Sequence, residues 1–215
     1  EPNAFSVLAI SEKGSLLSAP DTYMEKIVIG SNLPKNLMDL DNGVEKNIKL
    51  LAEAKNKKIS ELNACVLKRE RHNQIIEILI KMNVNINYIT DGDIAGALSV
   101  IGENPKNDIY YSTGGAPEGV IVAAALSCYG GQIQGRLVLD EEGKVRAKKL
   151  GIKDFKKKYN IEDMVKGDVI FCATGVTSGD LAKGVLDLGN EFEVNTFVLH
   201  KSKKIIKSIT NIYNK

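Results

Sequence analysis

The chain has 215 residues, 43% of them hydrophobic, which is apolar material enough for one large domain or two small ones and sets disorder aside. Its 29 Lys and Arg against 27 Asp and Glu leave a net charge of +2, with the basic residues scattered rather than striped. That balance points away from nucleic acid and membrane surfaces as partners and stays compatible with a small anionic ligand.

The chain opens on EPNAFSVLAIS without an initiator Met, and the strand-like run FSVLAI at 5 to 10 raises the expectation of an upstream segment. The turn SEKG, the stretch SLLSAPDTYM and a second strand, EKIVIG, make the first forty residues β-rich. NGVEKNIKLLAEAKNK then predicts a helix from about 43 to 56, with Val44, Ile48, Leu51 and Ala52 on one face. From there the rhythm changes. Four apolar runs, ACVLK, INYIT, IYYST and VIFCAT, each pass into a polar or Gly-rich turn, and three of these turns lead into a clear helical pattern. Such alternation predicts βα units, a largely parallel sheet and covering helices. In open α/β sheets, ligands gather outside the carboxyl ends of the strands. Here those turns carry Arg69, Arg71, Asp91, Asp93, Glu118, Thr177 and Ser178. Cys65, Cys128 and Cys172 lie far apart in apolar runs with no metal spacing, so they read as buried free thiols of a reducing cytoplasm. No window approaches the roughly 18 consecutive apolar residues of a membrane span.

Each turn has a structural and a chemical reading. Asp91 and Asp93 flank Gly92 ahead of IAGALSV, where they serve as helix caps or, equally, as paired acceptors for neighbouring sugar hydroxyls. Arg69 and Arg71, separated by Glu70, form a surface ion-pair cluster or a bidentate phosphate clamp. His72 beside them caps or packs. Glu118 follows Pro117 in the first turn of an apolar helix, where the dipole favours it; a carboxylate there also suits a hard divalent cation, with Gly114 and Gly115 admitting a ligand close to the backbone. GVTSG, residues 175 to 179, is a loose phosphate-cradling loop or a turn of glycines ahead of a helix DLAKGVLDL. No nucleophile elbow, partnered Cys–His or HExxH occurs, so covalent acyl chemistry is not indicated.

APDTYMEKIVIG, RERH, the DGD of YITDGDIAGAL, GGAPEGVIVAAAL with its following GGQIQGRL, and ATGVTSGDL occur in the same order as in the bacterial class II fructose-1,6-bisphosphatases, and the chain resembles that family along essentially its whole length. The resemblance implies an α/β layered helix/sheet sandwich of the sugar phosphatase superfamily, which includes inositol monophosphatase and fructose bisphosphatase. It implies a cytoplasmic, gluconeogenic enzyme that uses Mg²⁺ or Mn²⁺ to hydrolyse the 1-phosphate of fructose 1,6-bisphosphate, with sedoheptulose 1,7-bisphosphate as a second substrate in some members. Carried over by position, it makes Glu118 a metal ligand and catalytic residue and puts Gly115 at the substrate. Tyr23 then contacts the sugar phosphate, Arg69 and Arg71 hold the phosphate that is not cleaved, and Asp91 and Asp93 bind the sugar. Glu70 departs from the family's usual Pro between the arginines. The resemblance also implies a carboxyl-terminal two-thirds, lacking the acidic segment that supplies most metal carboxylates. On that basis residues 1–60 are the β-rich remainder of a metal-binding domain and 61–215 the α/β sugar-phosphate domain, in a homo-oligomer that leaves no sheet edge open. A non-catalytic phosphosugar-binding domain is the alternative.

Overall fold

The computed structural model describes residues 4–179 and 182–215. Two sheets alternate with two helical layers. The first is six-stranded, built from Tyr23–Ile29 (β2), Asn63–Leu67 (β3), Asn85–Ile89 (β4), Ile109–Gly115 (β5), Gln132–Val138 (β6) and Lys158–Tyr159 (β7), in the order β4-β3-β5-β2-β6-β7. Helices Gly43–Lys55 (α1) and Asn73–Lys81 (α2) cover one face, where Ile48, Leu51 and Leu79 meet Ile27, Ile29 and Tyr111. Helices Asp93–Leu98 (α3) and Ala116–Tyr129 (α4) cover the other, against Met24, Val28 and Tyr110.

Beyond α4 lies the second sheet. Phe5–Ser11 (β1), Val169–Gly175 (β8), Glu191–His200 (β10) and Ile205–Asn214 (β11) run in that order, with Leu186–Asp187 (β9) pairing to β10, and every pairing is antiparallel. Because α4 is sandwiched between sheets, it has no polar face to spare. Val122, Ala123, Ala124 and Ala125 are all fully buried, and small side chains are what allow two sheets to approach one helix closely. Helices Glu141–Lys149 (α5) and Ile161–Met164 (α6) complete the chain. Among the described residues no helix is long and apolar enough to cross a membrane.

The expected α/β layering is present, but the largely parallel sheet is not. Only β3, β4 and β5 run parallel; β2 pairs antiparallel to both β5 and β6. The run VIFCAT forms β8, which belongs to the antiparallel sheet, and residues 182–190 hold no helix where DLAKGVLDL predicts one; Asp180 and Leu181 lie outside the described residues. Two glycines explain the difference. A Cβ on Gly184 would sit 2.5 Å from the Ser178 amide nitrogen, and Gly189 adopts φ +92°, so the chain turns back against the end of β8 instead of winding. The division expected at residue 60 is crossed by hydrogen bonding, since β1 pairs with β8 and β2 lies between β5 and β6. Cys65 is buried, whereas Cys128 and Cys172 are only half-buried.

Candidate functional site at the carboxyl rim of the six-stranded sheet

Parallel strands β3, β4 and β5 end on the same side, so the residues that follow Leu67, Ile89 and Thr113 are brought to one rim. Strand β2 runs the opposite way, and its first residue pairs with the last residue of β5, Tyr23 with Gly115. An amino-terminal strand residue thereby joins three carboxyl-terminal turns. The rim encloses a cavity of about 540 Å³. Its lining includes Tyr23, Arg69, Arg71, Asp91, Asp93, Gly115 and Glu118; Phe5 and Val7 of the second sheet, with Ala4 ahead of them, contribute apolar side chains.

Arg71 is held from two directions. Its Nε donates to the Thr113 carbonyl at 2.7 Å, and its guanidinium lies 4.9 Å from the centre of the Tyr23 ring, a cation–π contact that leaves the outer nitrogens for a ligand. Arg69 sits in extended backbone ahead of a short 3₁₀ turn, Glu70–His72, and donates from Nη1 to the Lys68 carbonyl at 3.1 Å. His72 is fully buried. Its Nδ1 is 2.6 Å from the Leu67 carbonyl and its Nε2 accepts from the Thr113 amide at 2.8 Å, so the neutral ring, protonated on Nδ1, ties the end of β3 to the end of β5. Burial, reinforced by Arg71 and Arg69, holds its pKa below the ordinary value. Of the two sequence readings for His72, packing is the one realised.

The DGD turn does not take the capping reading. Neither aspartate caps α3; the cap position is Gly92, in left-handed backbone at φ 82°, and Asp91 Oδ1 accepts from the Gly92 amide at 2.8 Å. Asp91 is exposed at the mouth of the cavity, while Asp93 is buried in its wall. One oxygen of Asp93 pairs with Lys26 Nζ; the other accepts from Tyr110 OH and, at 2.5 Å, from Ser112 Oγ. Burial and the Asp93 carboxylate push the Tyr110 phenol well above its ordinary pKa, so it serves as a donor. Lys26 and Tyr110 were not among the residues singled out from sequence. The available signal was a lysine inside the apolar strand EKIVIG.

Gly114 and Gly115 make room for carboxylates. A Cβ on Gly114 would lie 2.6 Å from Asp93 Oδ2, and one on Gly115 would lie 2.7 Å from Glu118 Oε2. Glu118 itself is exposed in the first turn of α4, where the helix dipole favours its charge. GVTSG takes no part in the cavity. The Val176 and Thr177 amides donate to the Ala4 carbonyl, and the Gly179 amide donates to that of Ala182, so three of its N–H groups are spent within the fold and do not converge on an anion. Asp168, just ahead of β8, meets the β10–β11 turn: its Oδ2 accepts from Ser202 Oγ at 2.6 Å and lies 2.8 Å from His200 Nε2, which is itself 3.3 Å from Ser202 Oγ. Serine and carboxylate thus meet the same imidazole nitrogen, which is a turn clasp and not a nucleophile relay.

Among the described residues no three His, Cys, Asp or Glu side chains converge to hold a metal ion. Glu118 is one ligand of the right kind, and Asp93 is already paired with Lys26. The described residues by themselves therefore do not compose a cation cage.

The family model for the bacterial, glpX-encoded fructose-1,6-bisphosphatase matches residues 1–213. The chain is 36% identical over 228 residues to the class 2 fructose-1,6-bisphosphatase of Haemophilus influenzae, covering 99% of this chain and 68% of that protein. It is 37% identical over 226 residues to a D-fructose 1,6-bisphosphatase class 2/sedoheptulose 1,7-bisphosphatase of a Synechococcus strain, covering 99% of this chain and 65% of that one. Fructose-1,6-bisphosphatase 1 class 2 of Escherichia coli K12 is 34% identical, with 99% of this chain and 67% of the relative covered. The chain spans about two thirds of the length of the curated relatives it matches.

Proposed function

This chain belongs to the glpX-encoded bacterial fructose-1,6-bisphosphatase family, and from that premise we propose that its cavity binds fructose 1,6-bisphosphate for hydrolysis of the 1-phosphate. The observation that carries the reading is the convergence of two arginines, an exposed aspartate, a tyrosine and a glutamate on one cavity large enough for a sugar bisphosphate. Arg71, braced by Thr113 and Tyr23, presents its outer guanidinium nitrogens to the phosphate that stays on the sugar, and Arg69 adds a second charge beside it. Asp91 accepts from sugar hydroxyls at the cavity mouth. Asp93, engaged on both oxygens, shapes the wall behind the sugar. Glu118 faces the reacting end. A divalent cation, Mn²⁺ or Mg²⁺, supplies polarisation of the phosphoryl oxygens when bound; Glu118 is the ligand this chain offers, and the set needs carboxylates beyond the described residues.

Binding is therefore the measurement that tests the reading on this chain. Calorimetric titration with fructose 6-phosphate is expected to show a saturable site. Arg71→Ala is expected to weaken it by roughly 10- to 150-fold, the equivalent of losing one charged hydrogen bond of about 1.5–3 kcal/mol. Arg146→Ala, on α5 outside the cavity, leaves it unchanged. An unaltered affinity in Arg71→Ala would refute the arginine clamp. The single candidate ligand also favours a second reading, a phosphosugar-binding module without hydrolysis. A module binds fructose 6-phosphate and fructose 1,6-bisphosphate equally with and without Mn²⁺; the phosphatase reading requires Mn²⁺ to tighten the bisphosphate selectively, and Glu118→Gln to remove that gain. A parallel titration with sedoheptulose 1,7-bisphosphate decides between six- and seven-carbon substrates.

A further inference from the structure

Lys26 is 1% exposed, on the central strand of the six-stranded sheet, in a protein with 29 Lys and Arg that nearly all have access to water. A buried ammonium is costly unless it is paired and hydrogen-bonded. Its partners are the two sides of the candidate site. Nζ pairs with Asp93 Oδ2 from the DGD turn and donates to the Gly115 carbonyl at 3.2 Å from the segment leading into Glu118. Its aliphatic stem runs beneath the first turn of α4, where a Cβ on Gly119 would meet Lys26 Cδ at 3.3 Å. Lys26 does not itself line the cavity.

We propose that Lys26 is a positioning residue that makes this cavity receptive to a phosphorylated sugar, an inference that rests on the binding reading given above. Two physical effects support it. The ionisable side chains lining the cavity are two arginines against Asp91, Asp93 and Glu118, an excess of one negative charge that would oppose an anion; Lys26, one residue behind the wall, cancels it. The second effect is orientation. A peptide carbonyl directed at a phosphate is repulsive, and by taking the Gly115 carbonyl Lys26 keeps that oxygen turned into the protein. The same ammonium anchors Asp93, the first residue of α3, and so sets the Gly92 turn that presents Asp91.

A double-mutant cycle separates these effects from simple folding. Lys26→Met keeps the length of the stem and removes the charge. Asp93→Asn keeps an oxygen for Tyr110 and Ser112. The double variant removes one charge of each sign, so the charge balance of the site stays as in the parent. Thermal melting and calorimetry with fructose 6-phosphate are measured on all four proteins. Lys26→Met is expected to lower affinity at least tenfold, and the double variant to recover the melting temperature lost by Lys26→Met while binding no better than one tenth as tightly as the parent. A double variant that binds like the parent overturns the proposal, as does an additive cycle. Backbone amide NMR of the ligand-free proteins adds a readout free of sugar phosphate. The Gly92 and Gly115 signals are expected to move in the double variant while Gly151 stays still, and unmoved Gly92 and Gly115 signals overturn the proposal. A parent that binds no fructose 6-phosphate refutes the binding reading and with it the part of this proposal that concerns affinity, whatever the NMR shows.

Discussion

Preceded by Arg69 and Arg71, His72 resembles part of an anion site, yet both ring nitrogens are used to join β3 to β5. It packs, as one of its two sequence readings had it, but the partners of its ring were not legible in the sequence. Because its folded-state pKa lies below the ordinary value, the unfolded chain takes up the proton first as pH falls. The stability it contributes is full above the unfolded pKa of about 6.5 and is lost as pH falls from there through the lower folded value. Urea denaturation at pH 7.5, 6.5 and 5.5 should show this decline, and His72→Gln should flatten it over the same window; an identical pH dependence in the variant would remove the imidazole from the account. Asp93 teaches the complementary lesson. As a residue type it was legible as a candidate site carboxylate, but its engagement by Lys26 of β2 and by Tyr110 and Ser112 of β5 depends on two segments distant in sequence, which no local pattern encodes. Arg69, Arg71 and Glu118 were easier to single out, because exposed charge beside turn residues at strand ends is a local signal.

At the scale of elements, helix α4 carries the strongest constraint. It touches both sheets, so a larger side chain at its centre has nowhere to move. Ala124→Leu is expected to destabilise the protein by roughly 1–3 kcal/mol through overpacking, visible as a lowered melting temperature, while Glu77→Ala on the exposed side of α2 should be nearly silent. The apolar, alanine-rich character of this helix was plain in GGAPEGVIVAAALSCYG, and helix α1 follows its expected bounds within a residue. What failed was inference from one element to the next. DLAKGVLDL has a helical spacing of apolar residues, but Gly184 and Gly189 are placed where the backbone must turn back, and the short strand β9 pairs with β10. Strand direction was equally invisible: β2 reads like any buried strand, and only its pairing with β5 and β6 reveals that it runs against them.

The whole molecule is asymmetric in its covering. The six-stranded sheet has helices on both faces, while the five-stranded sheet has α4 on one face only among the described residues. Its other face carries Leu8 and Ile10 of β1 and, on the same face by the alternation of the paired strands, Ile209 and Tyr213 of β11, all at least 40% exposed. Strand β11 is also an edge of ten residues with one lysine and no proline, little protection against pairing with another chain. Concentration-dependent association by sedimentation is therefore expected, and Ile209→Lys should reduce it without changing fructose 6-phosphate affinity; equal association in the variant would place the contact elsewhere. From sequence alone came the α/β class, most helices and strands before residue 179, the family resemblance and the charged residues of the candidate site, because periodicity, turn chemistry and residue type are properties of neighbours along the chain. Strand order, the antiparallel second sheet, the buried Lys26–Asp93 pair and the working state of His72 were decided only by tertiary structure, since each depends on groups that dozens of intervening residues separate until the backbone closes.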